Sequence, residues 1–262
     1  MKLKFIVLFA STLLTSCKQN SETKVETTAS AEPVEVAVNQ KKDHQLREIL
    51  KVEEIPAIDG VANDKAWENA EWQPLDQRWL GDAYTPEDFS GKYKLVWNED
   101  ALYLLVEIID DKLYDQHSEP LKLWWDDDCV EIFIDEDNSG GEHLKNHNAF
   151  AYHVALDHNV VDMSTEGKGI LFNDHVTTAH KTEENKTTWE HKILIFDDSY
   201  NEKGKNNPVK LTEGKKIGFA LAYCDNDNSK ERENFIGSVF VPGEDKNQGY
   251  KTADIFGTVV LK

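Results

Sequence analysis

Apolar and polar residues alternate from about residue 92 onward, with the period of two that half-buried β-strands show. Tyr93, Leu95 and Trp97 fall on one face of the first run, and apolar residues resume that face after a turn at 98–100. This arrangement predicts a β-hairpin. Six further strands are predicted over residues 129–135, 150–156, 175–181, 187–196, 216–224 and 256–261.

Helical periodicity is confined to one short segment, residues 63–70, where Asn63 or Asp64 is a candidate cap and Trp67 an anchor. Many strands separated by clusters of Gly, Asn and Asp predict an all-β fold, an antiparallel, jelly-roll-like β-sandwich. Four tryptophans lie within apolar or alternating patterns and are expected in the core: Trp67, Trp72, Trp97 and Trp189.

The first residues have the layout of a secretory signal. Lys2 and Lys4 precede an apolar run that ends in Leu-Thr-Ser-Cys, so residues 1–17 are predicted to be a lipoprotein signal peptide whose lipidated residue is Cys17. Residues 18–45 contain no aromatic residue and are predicted to be a disordered tether. Residues 46–262 form the predicted folded domain. An exported, lipid-anchored protein of a bacterial membrane is therefore expected.

The chain is strongly acidic, with 29 Lys and Arg against 49 Asp and Glu and a net charge of −20. Such a field repels nucleic acids and anionic lipid headgroups, so contact with a membrane is expected only through the lipid anchor. Besides Cys17, the chain has Cys129 and Cys224, each in an apolar strand pattern. Either a disulfide or two small core residues is compatible with that pattern.

The chemically most informative segment is residues 124–135 (WWDDDCVEIFID), which places two aromatic rings and a row of carboxylates beside a strand. The CH face of a pyranose ring packs on an aromatic face, while its hydroxyls need charged or amide partners. A sugar site needs both kinds of side chain together. Because adjacent strand residues face opposite ways, at least one of Trp124 and Trp125 is expected to point away from the main core.

Several segments in order resemble the family 9 carbohydrate-binding modules, which are β-sandwich domains often attached to xylan-degrading enzymes. Each segment is weak by itself, but the ordered set spans nearly all of residues 50–262. The segments are 58–67 (IDGVANDKAW), 95–104 (LVWNEDALYL) followed by Asp110 and Asp111, 125–135 (WDDDCVEIFID), 216–219 (KIGF) with Asp225 and Asp227, and 256–261 (FGTVVL).

The resemblance implies a sugar held between two aromatic rings, with polar side chains fixing its hydroxyls. By position, Trp125 matches the first ring and Tyr250 the second, which in the family is usually Trp. Glu131 matches a hydroxyl-binding carboxylate, and Asn247 and Gln248 fall near a ligand-binding amide. His153 lies where such modules carry an arginine, and a neutral imidazole has fewer donors than a guanidinium.

Structural calcium is also implied by the resemblance. Asp135, Asp137, Asn138 and Glu142 offer hard oxygen ligands around a glycine turn, which suits calcium coordination. The alternative is a solvated acidic hairpin turn.

The interpretation that follows is non-catalytic binding of a polysaccharide or oligosaccharide, in support of secreted glycoside hydrolases. A glycoside hydrolase-like enzyme is one alternative, since Asp126, Asp127, Asp128 and Glu131 contain enough carboxylates for the required pair. A surface adhesion sandwich without sugar affinity is another. A haem-binding sandwich is disfavoured, because Met1 and Met163 are the only methionines and the histidines show no pairing.

Overall fold

The computed structural model describes residues 45–262, so the predicted signal peptide, Cys17 and residues 18–44 of the predicted tether lie outside the described residues. The described strands are β1 (Arg47–Lys51), β2 (Gln73–Leu75), β3 (Gln77–Leu80), β4 (Phe89–Trp97), β5 (Leu102–Asp110), β6 (Cys129–Asp135), β7 (Phe150–Ala155), β8 (Val160–Met163), β9 (Gly169–Leu171), β10 (Val176–Glu183), β11 (Lys186–Ile193), β12 (Lys216–Asp225), β13 (Asn234–Gly237) and β14 (Gly257–Leu261). Two 3₁₀ turns, Lys65–Trp67 and Ala253–Ile255, complete the regular structure of this part. Within it, no helix has the length and apolar character that a membrane crossing needs.

The strands form two sheets that β1 joins. Sheet 1 has the order β10-β11-β5-β4, and sheet 2 has the order β14-β12-β6-β7-β8-β9. Strand β1 pairs in parallel with β4 on one side and with β14 on the other. The predicted all-β sandwich is confirmed, but the prediction of a purely antiparallel fold is wrong at these two pairings.

The main core lies between the two sheets and follows the predicted alternation. On sheet 1, Tyr93 and its neighbours two residues apart are buried, and on sheet 2 Val130, Ile132 and Ile134 face them. Aromatic contacts cross the interface, such as Tyr93 with Phe219 at a centroid distance of 5.9 Å. The period of two therefore placed the correct faces of β4 and β5 inward.

A second core covers the outer face of sheet 2. The residues that alternate with the main core on β6, Cys129 and Phe133, lie here with small residues of β7 and β12. The segment after β13 returns over this face and buries it with Val239, Val241 and Phe256. Strand β6 is consequently buried on both faces, which explains why all seven of its residues are inaccessible.

The opening segment of the domain is fixed by a single carboxylate on β11. Glu190 accepts hydrogen bonds from the backbone amides of Asp59 and Gly60 and from the indole of Trp67, at 2.9–3.1 Å. Gly60 has a φ of 77°, and a β-carbon there would lie 2.6 Å from the backbone of His180. Only glycine fits this position without strain. The Ile-Asp-Gly sequence and the Trp of this segment, on which the family resemblance partly rests, therefore have a structural role.

The differences from the predicted elements concern short segments. The helix predicted over residues 63–70 is only the 3₁₀ turn Lys65–Trp67, and the side chain of Asp64 does not cap it. Six strands were not predicted, namely β1, β2, β3, β8, β9 and β13, and five of these six have at most four residues. A run that short has too few positions to show a period.

Candidate functional site

A pocket of about 280 Å³ opens on the outer face of sheet 2. Strands β6 and β7 supply its floor, where Glu131 lies directly opposite His153 in register. Three loops and strand β8 supply the walls. The lining residues are Trp124, Trp125, Glu131, His153, Asp162, Met163, Arg232, Asn247 and Tyr250. The structure therefore brings together five of the six residues predicted to bind ligand, and Gln248 is the exception.

The first aromatic wall is a pair of indoles. Trp124 and Trp125 lie 4.8 Å apart between ring centroids, at an interplanar angle of 79°. They belong to a turn before β6 and not to a strand, and the preceding Leu123 has a left-handed φ of 51°. Both rings line the pocket, so the expectation that at least one of them points away from the main core is met, although a turn places them there and not strand alternation.

The second aromatic wall is Tyr250, whose ring is 39% exposed. Its loop is held from below by His143, whose ring Nε2 lies 2.8 Å from the carbonyl oxygen of Gly249. Gly249 packs so closely on Phe133 that a β-carbon would lie 2.7 Å from the ring. Asn247 lines the pocket from the same loop. The side chain of Gln248 instead donates to the carboxylate of Asp245.

Glu131 is the buried carboxylate of the pocket floor, and three donors converge on its Oε1. His153 Nε2 lies at 2.9 Å, Arg232 Nη1 at 3.1 Å and the Cys224 thiol sulfur at 3.1 Å. Burial alone would raise the pKa of Glu131, but His153 and Arg232 outweigh that effect and lower the pKa. Glu131 is consequently held as a carboxylate.

Both ring nitrogens of His153 face oxygen atoms. Its Nδ1 lies 3.1 Å from the carbonyl oxygen of Ala151, while its Nε2 lies 2.9 Å from Oε1 of Glu131. These two contacts fix the orientation of the ring in the pocket floor.

Arg232 is the functional residue that the sequence analysis missed. The resemblance suggested that the guanidinium of the site was lost at position 153, but the loop between β12 and β13 brings one into the same pocket. Its guanidinium carbon lies 4.0 Å from the centroid of the Phe235 ring. The loop sequence SKERE has no period or motif that distinguishes Arg232 from its charged neighbours. Only the three-dimensional structure identifies it.

The acidic row beside the tryptophans has a structural role. Asp127 accepts from the backbone amides of Gln116 and His117, at 3.0 and 2.9 Å. Asp128 accepts from the amides of Tyr114 and Asn226. These aspartates are buried and do not line the pocket. They fix the loops that carry the site, so they are not available as the carboxylate pair of a hydrolase.

The turn predicted to bind calcium makes other contacts in the structure. Asp135 accepts from the Gly140 amide at 2.8 Å, Asp137 from the Ser139 amide at 3.0 Å, and Asn138 from the Thr258 hydroxyl at 3.2 Å. Glu142 forms an isolated β-bridge with Thr252, beside the Tyr250 loop. Within residues 45–262, Asp135, Asp137 and Glu142 do not form a group whose ligand atoms all lie within 4.8 Å. This turn supports the Tyr250 loop.

A different group of carboxylates does converge. One oxygen each of Asp110, Asp128 and Asp225 lies within 4.8 Å of the others, and all three residues are buried. Burial, followed by repulsion from Asp110, raises the pKa of Asp128 to about 9 and that of Asp225 to about 8. We call these three residues the aspartate cluster. Its members are not in the pocket.

A two-sheet β-sandwich whose pocket combines aromatic walls with a buried ionised carboxylate has the features expected of a carbohydrate-binding module. Comparison with known families agrees: the family model described as "Carbohydrate family 9 binding domain-like" matches residues 58–262. The chain belongs to this family. The predicted class, a carbohydrate-binding module, is thereby confirmed.

Solved structures with the same fold support this placement. A family 9 carbohydrate-binding module from Caldicellulosiruptor kristjanssonii in complex with cellotriose superposes with a TM-score of 0.59 at 22% identity, covering 82% of this chain and 94% of that one. A putative carbohydrate-binding protein from Bacteroides uniformis gives a TM-score of 0.55 at 14% identity, covering 83% and 99%. At these identities the likeness shows the fold alone.

Two curated relatives are similar over a short stretch. Endo-1,4-beta-xylanase A of Thermotoga neapolitana and that of Thermotoga maritima are each 32% identical over 83 residues, which is 32% of this chain. The match covers 7% of the length of these relatives. It therefore concerns one small segment of each.

Proposed function

We propose that the pocket binds the end of an oligosaccharide or polysaccharide chain without cleaving it. The observation that carries this proposal is the meeting of Trp125, Tyr250 and the ionised Glu131 around one cavity. Ring faces pack on the CH face of a sugar, and charged groups bind its hydroxyls. The cavity, at about 280 Å³, is slightly below the range of about 300–1,000 Å³ for small-ligand sites. This size suits a terminal sugar better than a long internal segment.

The polar groups have complementary roles in this proposal. The contacts of Glu131 with His153, Arg232 and Cys224 are all made by Oε1, so Oε2 is the oxygen assigned to accept a sugar hydroxyl. A guanidinium has five N–H donors, and the contacts of Arg232 with Glu131 and Cys224 both use Nη1. The remaining N–H groups, with the amide of Asn247, are assigned to donate to sugar oxygens.

The proposal excludes catalysis because the second carboxyl group of the pocket, that of Asp162, is already bound to the backbone. A glycosidase needs one protonated and one ionised carboxyl group flanking the bond. Asp162 lines the pocket, and burial raises its pKa to about 6. Its two oxygens, however, accept from the backbone amides of Ala151 and Met163, at 2.8 and 2.6 Å. Those contacts hold Asp162 as a structural group of the β7–β8 hairpin.

Calorimetric titration of the full chain carrying Cys17→Ser tests this function, with cellotriose, glucose and xylotriose as ligands. Cellotriose and glucose are chosen because they are bound in structures of similar fold. We expect micromolar binding of at least one ligand and a loss of about tenfold or more in Trp125→Ala, since a well-formed aromatic contact contributes about 0.5–1.5 kcal/mol beyond area burial.

Trp72→Ala is the matched control, because Trp72 is a 37% exposed indole outside the pocket. Its exposure also corrects the expectation that it is a core residue. Equal affinity of the Trp125→Ala and wild-type chains would contradict the proposal, and so would cleavage products detected by chromatography after prolonged incubation.

We further propose that the chain is exported, is lipidated at Cys17 and holds polysaccharide near secreted glycoside hydrolases. The signal-like pattern of residues 1–17 supports the first two points, and the segment shared with two xylanases supports the third. Membrane fractionation with mass spectrometry of the N-terminal peptide tests lipidation. Recovery of wild-type and Cys17→Ser chains in the same fraction would contradict it.

A further inference from the structure

Two cysteines lie directly opposite each other behind the pocket floor. Cys129 on β6 pairs in register with Cys224 on β12, and both residues are 0% exposed. Directly opposite residues of antiparallel strands have Cα atoms about 4.5–5.5 Å apart, which lies within the window of about 4.4–6.8 Å for a disulfide. Their side chains share one face of the sheet, and their sulfur atoms lie within 4.8 Å of each other.

The surroundings of the pair argue against a metal site, although the carboxylate of Glu131 also lies within 4.8 Å of both sulfurs. Arg232 Nη1 lies 3.0 Å from the sulfur of Cys224, so a cation bound by this group would lie close to a fixed positive charge. Burial raises the pKa of the Cys224 thiol, whereas a metal needs thiolates. A cation is therefore disfavoured by both charge and protonation.

We propose that Cys129 and Cys224 are joined by a disulfide beneath the pocket when the chain folds in the presence of a disulfide oxidant. Each thiol loses its proton, one S–S bond forms, and the two electrons reduce the oxidant's disulfide to two thiols. Because both side chains are inaccessible in the folded domain, the exchange takes place before β6 and β12 close on each other. Glu131 then keeps its contacts with His153 and Arg232 and loses the Cys224 thiol as a donor. The bond does not depend on the proposed sugar binding.

The disulfide would link two strands that position pocket residues. It links the strand that carries Glu131 to the strand that leads into the Arg232 loop, two residues from Glu131 and eight from Arg232 in sequence. Its two half-cystines are 224 − 129 = 95 positions apart. Closing a loop of that length removes much conformational freedom from the unfolded chain.

Peptide mapping of the full chain carrying Cys17→Ser tests the disulfide. The protein is refolded with oxidised glutathione, alkylated in denaturant and digested without reductant. We expect no alkylated cysteine and one cross-linked peptide pair containing Cys129 and Cys224. Reduction should then expose two thiols and lower the thermal midpoint by about 5–15 °C.

The single variants Cys129→Ala and Cys224→Ala are the controls, and each should show one thiol and no midpoint shift on reduction. If they fail to fold, the wild-type map alone decides. Two alkylated thiols in the oxidatively refolded wild type would overturn the proposal. So would stoichiometric zinc, measured by elemental analysis, in protein whose thiols are protected until the metal is chelated. Sugar affinity measured on the same sample separates this outcome from the proposed binding function.

Discussion

The pocket carboxylate, Glu131, and the aspartate cluster are both buried, but Glu131 has basic neighbours whereas the members of the cluster have acidic ones. Glu131 has the imidazole of His153 and the guanidinium of Arg232 within 3.1 Å, and its pKa is lowered. The nearest charged partners of Asp128 and Asp225 are other carboxylates, and burial raises their pKa values to about 9 and about 8. Burial acts in the same direction in both places, so the neighbours decide the outcome.

This difference predicts that Glu131 is ionised at neutral pH, whereas the aspartate cluster retains protons or binds a cation. The pocket floor keeps a permanent negative charge with fixed partners, which suits an acceptor for sugar hydroxyls. The aspartate cluster is neutral only if it holds protons or a cation. Its members also cap backbone amides, such as that of Asn226, so its protonation is linked to the stability of the loops around the pocket.

The largest expected effect on stability comes from removing the charge of Glu131. Glu131→Gln removes the negative charge and leaves Arg232 and His153 facing each other in a buried site. Removing one partner of a buried ion pair costs about 3–5 kcal/mol. We expect a loss of that size in the free energy of unfolding, measured by denaturant titration at pH 7. The surface variant Glu183→Gln, whose carboxylate pairs with Lys181, should leave the midpoint unchanged. A Glu131→Gln chain as stable as the wild type would contradict the assignment.

The pH dependence of stability tests whether the aspartate cluster holds protons. Asp128 and Asp225 have folded pKa values of about 9 and about 8, above the unfolded value of about 3.9. Between these values the folded chain binds more protons than the unfolded chain, so stability falls as the pH rises. Buried His143, His175 and His191, with pKa values lowered to about 4, about 4 and about 3, act oppositely, but only below about pH 7.

In chelator, we therefore expect the free energy of unfolding to fall between pH 7 and pH 8, with a slope of up to about 1.4 kcal/mol per pH unit for each retained proton. Denaturant titrations at closely spaced pH values measure that slope. A flat or rising profile would show that the cluster holds no protons. Disappearance of the slope on addition of calcium would show that a cation replaces them.

The sequence predicted the fold well where burial has a regular period. Strand β6 was predicted with its observed bounds, Cys129–Asp135, because only Glu131 interrupts its apolar residues and a turn follows. The hairpin of β4 and β5 was predicted from its alternating apolar residues and the turn between them, and Asn98 closes this turn by accepting from the amides of Asp100 and Ala101. Strand β1 was missed, because only Ile49 of its five residues is buried and its pairing depends on two parallel neighbours distant in sequence.

The site was predictable only where a resemblance fixed a position. Trp125, Glu131 and Tyr250 were placed by their distance from recognisable strands, and all three line one pocket. Arg232 was missed because a loop of irregular sequence carries it there. Calcium binding at Asp135 and its neighbours stays a prediction, because the composition of a metal loop does not fix where its oxygens point. In the structure those oxygens accept from nearby backbone amides and a hydroxyl.

A smaller effect is expected when one carboxylate is removed from the aspartate cluster. Asp225→Asn keeps a side-chain group that can bond to Asn234 and reduces the repulsion on Asp110. In chelator at pH 8 we expect this variant to be more stable than the wild type by about 1–2 kcal/mol, since a shift of one pKa unit corresponds to about 1.4 kcal/mol. Asp82→Asn, at an exposed aspartate, should leave the stability unchanged. Destabilisation by Asp225→Asn in chelator would contradict the idea that the cluster is strained by like charges.

The smallest expected effect comes from a substitution that keeps the positive charge of Arg232 but changes the arrangement of its donors. Arg232→Lys keeps a positive charge near Glu131 but loses the planar fork of donors and its stacking on Phe235. We expect stability close to that of the wild type and an affinity for cellotriose weakened by about fivefold, roughly 1 kcal/mol. Arg47→Lys is the control, because Arg47 donates to Tyr93 outside the pocket. Unfolding and calorimetric titrations of both variants give the two quantities. If Arg232→Lys loses stability and retains full affinity, Arg232 serves only to neutralise Glu131, and the pocket then has one donor group fewer than the proposed sugar site requires.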